Sequence, residues 1–226
     1  MKRKAIYAVT ILAVTTLTLI MVNGCVPGES SNDTSVLAPA EIREYEGTKL
    51  SSADDFRENS ILGTQLVDKD AYQLIVDGLV EKPASYSYAE VTNNYKNYKK
   101  VVTLDCVEGW SVTILWEGIL LRDLIETSNP LASSKVVIFH AYDGYTTSFP
   151  VEYVMDNDIL LAYKMNDVVL PQERGFPFQL VAESKWGYKW IKWITRIELS
   201  DNVDYRGYWE TRGYSNSANL DEGFFE

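Results

Sequence analysis

The amino-acid sequence predicts a β-rich α+β domain that follows an N-terminal export signal. After position 56, apolar residues recur in short runs, and several of these runs alternate with polar residues as half-buried strands do. Only two stretches have helical spacing, and both are short. Short strands with few and short helices are the pattern of an α+β fold, and residues 56–226 are numerous enough for one domain with a sizeable core.

In chain order, the first predicted strand lies within residues 71–83, where the alternation stops at Gly78 and Pro83. Residues 87–95 predict a short helix. Residues 100–107 and 111–116 predict two strands joined by a turn at Glu108 and Gly109. A second helix is predicted over residues 121–128, because Leu121, Leu124 and Ile125 recur at helical spacing.

The second half of the domain predicts four more strands. Residues 135–141 lead to a turn at Asp143 and Gly144, and the apolar runs at 159–165 and 176–182 predict buried strands. Residues 190–199 alternate over a longer stretch. As one long strand, they would place Lys192 and Arg196 on one face and the preceding Lys189 on the other.

The first 25 residues have the order of parts of an export signal. A basic segment at residues 2–4 precedes the uncharged, apolar and threonine-rich run Ala5–Met21, which is short for a membrane-spanning helix of about 20 residues. The small Gly24 before Cys25 is typical of a lipoprotein signal, in which Cys25 would be lipidated and become the new N-terminus. The alternative is an uncleaved signal anchor. Both predict an extracytoplasmic domain tethered to the membrane.

Residues 26–55 are polar and aperiodic, so they predict a flexible stalk between the anchor and the domain at 56–226. The chain has 32 acidic and 21 basic residues and a formal net charge of −11. Such a surface repels nucleic acid, which is therefore not an expected partner. It would suit a cationic electron-transfer partner, and it also serves solubility.

Common catalytic motifs are missing from the sequence. There is no glycine-rich phosphate loop, and the acidic residues form no evident hydrolase pair. His140 is the one histidine, which leaves little for a zinc site or a histidine-assisted nucleophile. Because it lies in an apolar strand, a structural role is favoured.

Two features remain as candidates for chemistry. Cys106 shares a predicted strand face with Val102 and Leu104, which suggests a buried core thiol, but it also precedes a turn with glycine, where a soft thiolate can meet a metal. The stretch Ser184–Arg196 places three lysines and an arginine among three tryptophans. It predicts either a phosphate-binding patch or lysine stems that cover aromatic surface.

Four stretches in order resemble the molybdopterin-binding domain of the sulfite oxidase family, especially its short exported members without haem or a dimerisation domain. The first opens at "YQLIVDGLVEKP", and the second, "TLDCVEGWSVTILWEG", resembles the family's cysteine motif. The third runs from "LLAYKMNDVVLP" through "ERGFPFQ" to "GYKWIKW", and "GYWETRGYS" is similar to the usual tail. The resemblance implies the sulfite oxidase-type fold of mixed sheets with a few short helices.

The resemblance also implies a cofactor and site residues. Cys106 would bind molybdenum, with tungsten as an option, beside a pyranopterin (molybdopterin) cofactor. Lys189 and Lys192 match the motif that holds the cofactor phosphate, and Tyr188 in the same motif is a further cofactor contact. Tyr145 falls where the family has an active-site tyrosine, although a plain turn tyrosine is the alternative.

The chain departs from the family at several positions. Asp167 stands where the family often has glycine in M-N-G, and the block H-G-x-P-x-R appears as Arg174 to Gln179. We expect Arg174 to supply a positive charge from a neighbouring position, and Asn59 remains a weak cofactor contact. With the anion-binding arginines of a sulfite oxidase hard to find, sulfite is not the expected substrate. The basic segment also lacks the arginine pair of a signal for folded export.

The sequence therefore predicts a membrane-tethered oxidoreductase that moves an oxygen atom to or from a small oxyanion, sulfoxide or N-oxide. Without a haem motif, it would exchange electrons with a separate carrier, such as a cytochrome or a quinone-linked protein. The alternative is a non-catalytic lipoprotein of the same fold that binds an anion or a protein. A purely structural surface protein is a third hypothesis.

Overall fold

The computed structural model describes residues 40–57 and 59–226. The predicted signal, Cys25 and residues 26–39 of the predicted stalk lie outside these residues. No helix within the described ranges has the length and apolar character needed to cross a membrane.

The described residues form a β-rich fold with short helices, which confirms the predicted class. The strands are β1 (Glu44–Tyr45), β2 (Thr48–Lys49), β3 (Gln73–Gly78), β4 (Ala84–Ser87), β5 (Asn97–Asp105), β6 (Ser111–Leu120), β7 (Val136–Ala141), β8 (Thr146–Pro150), β9 (Leu160–Met165), β10 (Val168–Val169), β11 (Gln179–Val181) and β12 (Ile194–Ser200). The α-helices are α1 (Tyr88–Asn94), α2 (Leu121–Thr127) and α3 (Val151–Asp156). Single 3₁₀ turns lie at Ala53–Asp55, Gln172–Arg174, Gly187–Lys189 and Glu210–Arg212.

Two five-stranded sheets carry the fold. One is antiparallel, with the order β10-β9-β6-β5 and with β11 also paired to β9. The other has the order β4-β3-β12-β7-β8 and is mixed, because β12 runs parallel to β3 and antiparallel to β7. Their apolar faces meet in one continuous core, which includes Trp116 of β6, Leu124 of α2 and Phe139 of β7.

The first half of the domain follows the predicted pattern closely. Helix α1 begins with a capping box in which Ser87 Oγ accepts from the backbone N–H of Glu90, and the Glu90 carboxylate accepts from the N–H of Ser87. Strand β6 is longer than predicted and almost continuously buried, because it lies between β5 and β9. Such a central strand has no solvent-facing side that would keep alternation going.

The predicted strand at 190–199 is wrong in its first part. Residues 187–189 form a 3₁₀ turn, Trp193 has a positive φ of 53°, and β12 begins only at Ile194. A positive φ interrupts extended backbone. Lys192 and Arg196 therefore do not share a strand face, and Arg196 pairs instead with Asp77 on β3.

The ordered domain also begins earlier than residue 56. Within the predicted stalk, Ile42 donates to the carbonyl of Asn166 at 3.1 Å, Ser51 donates to the carbonyl of Thr113 at 2.8 Å, and Leu50 is buried. Satisfied backbone groups and a buried leucine give residues 41–55 a fixed place on the domain, in contrast to the predicted flexible stalk.

One departure from the family pattern lies in a turn. Asn166 and Asp167 join β9 to β10 with φ angles of 47° and 65°, as the two central residues of a type I′ hairpin require. Asparagine and aspartate tolerate this conformation better than other non-glycine residues. Asp167 also forms an ion pair with Lys99. The geometry of the turn therefore accommodates Asp167 where the family often has glycine.

Candidate active site

A cavity of about 220 Å³ gathers most of the predicted site residues. Its walls come from residues 56–57 and 59–61, the turn after β5, the β7–β8 turn, β11 and the stretch 187–193. The stretch "GYWETRGYS" at 207–215, called the C-terminal tail below, completes the lining. The predicted residues in its lining are Asn59, Cys106, Tyr145, Arg174, Tyr188 and Lys192. Residues that lie far apart in the sequence therefore meet at one site.

Cys106 lies at the end of β5, in a tight turn whose geometry is set by backbone hydrogen bonds. Its N–H donates to the carbonyl of Trp110 at 2.9 Å, and its carbonyl accepts from Gly109 at 3.0 Å. Gly109 has a φ of 81°, which glycine adopts without strain. Cys106 is 8% exposed and touches both the core and the cavity, so the two predicted roles share one position.

The electrostatics of the Cys106 thiol favour the protonated form when no metal is bound. Burial raises the pKa of Cys106, and the nearby carboxylate of Glu108 also raises it, against a hydrogen bond to the Glu108 backbone and the charge of Arg57. A bound metal replaces that proton, because metals bind cysteine as the thiolate. The pocket thus disfavours a free thiolate, and metal binding at Cys106 would have to displace the thiol proton.

Gly187 lets the 3₁₀ turn at Gly187–Lys189 approach the Cys106 strand closely. A Cβ atom on Gly187 would lie 3.2 Å from Leu104 Cδ2, 3.3 Å from the carbonyl oxygen of Asp105 and 3.5 Å from Cys106 Cα. The two motifs singled out in the sequence, the cysteine turn and the lysine–tryptophan stretch, are therefore in direct contact.

Cationic and amide groups form another part of the lining. Lys192 donates to the carbonyl of Glu173 at 3.1 Å, and its Nζ lies 4.3 Å from the centroid of the Trp193 ring. Arg174 is buried, with its guanidinium carbon 4.9 Å from the centroid of the Phe56 ring. Gln179 is also buried, and its Oε1 has no hydrogen-bond partner among the described residues. Such an acceptor needs a donor, which a bound ligand can supply.

Tyr145 and Tyr188 reach the cavity together. The hydroxyl of Tyr145 donates to the backbone carbonyl of Tyr188 at 2.5 Å, and the hydroxyl of Tyr188 donates to the carbonyl of Ser215 at 2.7 Å. Burial, assisted by the carboxylate of Glu210, raises the pKa of both tyrosines above the usual range. The Tyr145 hydroxyl thus holds its proton and directs it at the protein backbone.

Lys189 does not line the cavity, in contrast to its predicted contact with the cofactor. Its side chain is 0% exposed, and its Nζ lies 2.7 Å from Glu210 Oε1 and 2.8 Å from the carbonyl oxygen of Ser148. Burial lowers the pKa of Lys189, while Glu210 opposes this shift. The side chain serves an internal ion pair, because its charge is already satisfied inside the protein.

Asn59 lies at the cavity as predicted, but it contacts a residue that sequence reasoning missed. Its Nδ2 donates to Glu108 Oε1 at 3.3 Å, and Trp110 Nε1 donates to Glu108 Oε2 at 3.0 Å. Glu108 therefore connects the segment that carries Asn59 to the turn that carries Cys106. His140 does not line the cavity and pairs with Glu198 at 2.8 Å, in agreement with a structural role.

Other lining residues were also missed. Arg57, Trp209 and Tyr214 face the cavity. Trp209 and Tyr214 lie within the stretch "GYWETRGYS", which was quoted for its resemblance only. Arg57 is two residues before Asn59, so the same weak segment carried a cation as well as an amide.

The donor set suits a metal that brings most of its own ligands. In residues 40–57 and 59–226, no three His, Cys, Asp or Glu side chains are grouped so that they could hold a metal ion. Cys106 is thus a single soft ligand beside cations and an unpaired amide oxygen. These groups fit a phosphate-bearing organic cofactor that supplies sulfur ligands to a metal.

Comparisons with known proteins agree with this chemistry. The family described as "Oxidoreductase molybdopterin binding domain" matches residues 61–209, more than half of the chain. The chain is 32% identical over 148 residues to the uncharacterized oxidoreductase YuiH of Bacillus subtilis (strain 168), a match that covers 65% of this chain and 74% of YuiH.

The fold is similar to that of the sulfane dehydrogenase SoxCD from Paracoccus pantotrophus, with a TM-score of 0.60 and 24% sequence identity over 63% of this chain. The chain spans 42% of that SoxCD chain, and at this identity the likeness shows the fold alone. The fold, the family match and the thiol-and-cation cavity lead to one conclusion. The chain belongs to the sulfite oxidase-type family of molybdopterin-binding oxidoreductase domains, whose cofactor is molybdopterin with molybdenum.

Proposed function

We propose that this protein is a membrane-tethered, extracytoplasmic oxidoreductase that moves an oxygen atom to or from a small oxyanion, sulfoxide or N-oxide. The observation that carries the proposal is the meeting of a buried thiol, Cys106, with Lys192, Arg174 and the unpaired Gln179 oxygen at one cavity. A non-catalytic core cysteine has no need of such surroundings. Molybdenum is the expected metal, and tungsten is an alternative with the same sulfur chemistry.

In this proposal, each polar group of the cavity has a role in holding the cofactor. Cys106 binds the metal as thiolate, and Lys192 and Arg174 bind the phosphate through charge-assisted hydrogen bonds. Gln179 Oε1 would accept a hydrogen bond from the bound cofactor, which would satisfy an otherwise costly buried acceptor. When bound, the cofactor supplies a two-electron redox centre, and the protein supplies binding, orientation and electrostatics.

The chain's own residues prepare the site for substrate. Tyr145 keeps its proton near neutral pH, because burial raises its pKa, so it serves as a hydrogen-bond donor and not as a base. Reaching a substrate requires the hydroxyl to leave the carbonyl of Tyr188. The rings of Trp110, Trp209 and Tyr214 line the same cavity, and apolar surroundings strengthen the polar interactions within it.

The location and the partners follow from the N-terminal signal and from the composition. Lipidation at Cys25 tethers the chain outside the cytoplasm, and residues 41–55 fix the end of the linker to the domain. The sequence has no C-x-x-C-H haem motif, so a separate cytochrome or quinone-linked protein carries the electrons. The net charge of −11 favours a cationic carrier through electrostatic steering.

The test is elemental analysis of protein purified from its native membrane, together with the Cys106→Ser variant. We expect about one metal atom per chain, as one cysteine ligand implies, and its loss in the variant. Visible absorption from the metal–sulfur bonds should disappear with the metal. Absence of metal from native material would refute the enzyme and leave a binding lipoprotein of the same fold. Metal that is retained in Cys106→Ser would refute the assigned ligand.

A further inference from the structure

Lys189 and Glu210 form an ion pair that the cavity chemistry does not use. Both side chains are 0% exposed, and Lys189 Nζ lies 2.7 Å from Glu210 Oε1. The same oxygen accepts from Thr147 Oγ1 at 2.6 Å, and Lys189 also donates to the carbonyl of Ser148 at 2.8 Å. The pair is thus hydrogen-bonded to strand β8 from both of its members.

The residues next to this pair line the cavity. Tyr188 and Trp190 flank Lys189 in the sequence, and Trp209 immediately precedes Glu210; all three are in the cavity lining. The tail also lies close against β8, because Tyr208 donates to the carbonyl of Thr146 at 2.9 Å. A Cβ atom on Gly207 would lie 2.2 Å from that same carbonyl oxygen. The ion pair therefore joins two walls of the cavity through a shared strand.

Net stabilisation does not explain such a pair. The desolvation of two buried charges offsets most of their attraction, and well-packed apolar residues of similar volume often stabilise a protein as much or more. A charged pair with directed hydrogen bonds does, however, fix the direction in which two segments meet. Glu210 Oε2 is buried and has no hydrogen-bond partner among the described residues, so the pair carries a further energetic cost.

We propose that Lys189 and Glu210 are positioning residues that hold Trp209 and Tyr214 of the C-terminal tail as a fixed wall over Cys106. Tyr214 reinforces this link, since its ring centroid lies 5.1 Å from that of Tyr188 and also 5.1 Å from that of Trp209. The wall and the turn that carries Cys106 face the same cavity, so we expect a displaced tail to widen access to the thiol. Only the expected effect of the ion pair on catalysis rests on the proposed function.

The direct test measures the alkylation rate of Cys106 in full-length, cofactor-free protein with Cys25→Ala, where Cys106 is the remaining thiol. The key variant is Lys189→Met with Glu210→Met, which removes both charges and keeps apolar volume. Its melting temperature should stay close to that of the parent, because no charge is left buried alone. Its alkylation rate should rise about tenfold, because alkylation of a buried thiol follows the population of open forms.

Two further variants complete the test. Glu210→Gln keeps the shape and one acceptor oxygen but leaves the Lys189 charge without its carboxylate, so it should melt at a lower temperature and should also show faster alkylation. Lys99→Met removes another lysine ion pair, with Asp167 and Glu117 on the β5 side, and should leave alkylation unchanged. Parent-like alkylation in both the Met double variant and Glu210→Gln would overturn the proposal. An equal rise in Lys99→Met would overturn it as well, since any lost ion pair would then suffice.

A kinetic readout separates positioning from simple stability. In metal-loaded enzyme, the Met double variant should raise KM more than it lowers kcat, because a displaced wall loosens substrate binding while Cys106 still holds the metal. A fall in kcat alone would contradict the proposed wall. If the native protein holds no metal, the proposed function fails, but the alkylation test still decides the role of the ion pair.

Discussion

Replacing Gly187 by alanine tests whether close contact between the 3₁₀ turn and the Cys106 strand is needed for metal binding. The added Cβ would lie 3.2 Å from Leu104 Cδ2 and 3.3 Å from the carbonyl oxygen of Asp105. The leucine methyl can move by rotation, but the carbonyl belongs to the backbone of β5. The turn must therefore move away from Cys106 by a few tenths of an ångström.

Overpacking of this kind costs about 1–3 kcal/mol. The contacts at Gly187 are too short by only a few tenths of an ångström, so the expected loss in the free energy of unfolding lies near the lower end of that range. Alanine also restricts the unfolded chain, which returns about 0.5 kcal/mol. The net loss is about 0.5–1 kcal/mol, so for a domain of this size the melting temperature should fall by about 1–4 °C. Metal content should fall further than this loss of stability implies, because the displacement occurs beside the metal ligand.

Gly47→Ala is the matched control. Gly47 has a φ of 80° in the β1–β2 turn, and no heavy atom lies within 4 Å of its added Cβ. Backbone strain there costs about 1–2 kcal/mol without steric contact, so the two variants should melt at similar temperatures. Thermal unfolding and elemental analysis are measured for both. If Gly187→Ala keeps as much metal as Gly47→Ala, the close approach does not matter for the site.

Three further predictions concern charge. Lys192→Ala should weaken cofactor retention, measured as metal content after dialysis, whereas Lys96→Ala, whose lysine lies 4.6 Å from a tyrosine ring centroid, should retain the metal. Lys189→Met alone should lower the free energy of unfolding, measured in urea, by about 3–5 kcal/mol, because Glu210 is left as a buried unpaired charge. Equal stability of the single variant and the Met double variant would contradict this prediction. Burial raises the pKa of Glu117, but hydrogen bonds and two lysines outweigh it and hold that pKa below its ordinary value of 4.5. The stabilisation by Glu117 is therefore complete above pH 4.5 and is lost as the pH falls through the lower pKa of the folded state. Glu117→Gln should flatten the dependence of the free energy of unfolding on pH in this acid range. An unchanged slope would refute the assignment.

The predictable parts of the fold are those in which local pattern and tertiary pairing agree. Alternation over 100–107 and the turn at Glu108–Gly109 led to β5 and β6 as a hairpin. The stretch 190–199 also alternates, but the backbone turns at Trp193, whose indole N–H donates to the carbonyl of Gln172 at 2.6 Å. That bond joins residues 21 positions apart, so local periodicity could not foresee it.

In the candidate site, too, local sequence signals predicted some features, and other features depend on contacts between distant residues. A cysteine before a glycine turn carries a local signal, and Cys106 does lie at the cavity. The motif around Lys189 and Lys192 gave no sign that one lysine faces the cavity and the other an internal carboxylate. That difference depends on Glu210, which the tail brings to β8 only in the folded chain. Charged residues in one motif can be assigned separate roles only when their partners are known.

The replaced block from Arg174 to Gln179 bears on the choice between enzyme and non-catalytic binder. The family's histidine and arginine are replaced by arginine and glutamine, and both Arg174 and Gln179 line the cavity. A guanidinium is therefore still present, moved by five positions to the other end of the block. Gly175, with a φ of 100°, lets this block pack closely against Lys192 and Gln179, because an added Cβ would lie 3.0 Å from Lys192 Cβ and 3.2 Å from Gln179 Cβ. Gln179 Oε1, beside these cations, is a buried acceptor without a partner among the described residues, which is costly unless a ligand supplies the donor. The exchange of residues thus argues for a retained anionic cofactor with an altered set of contacts.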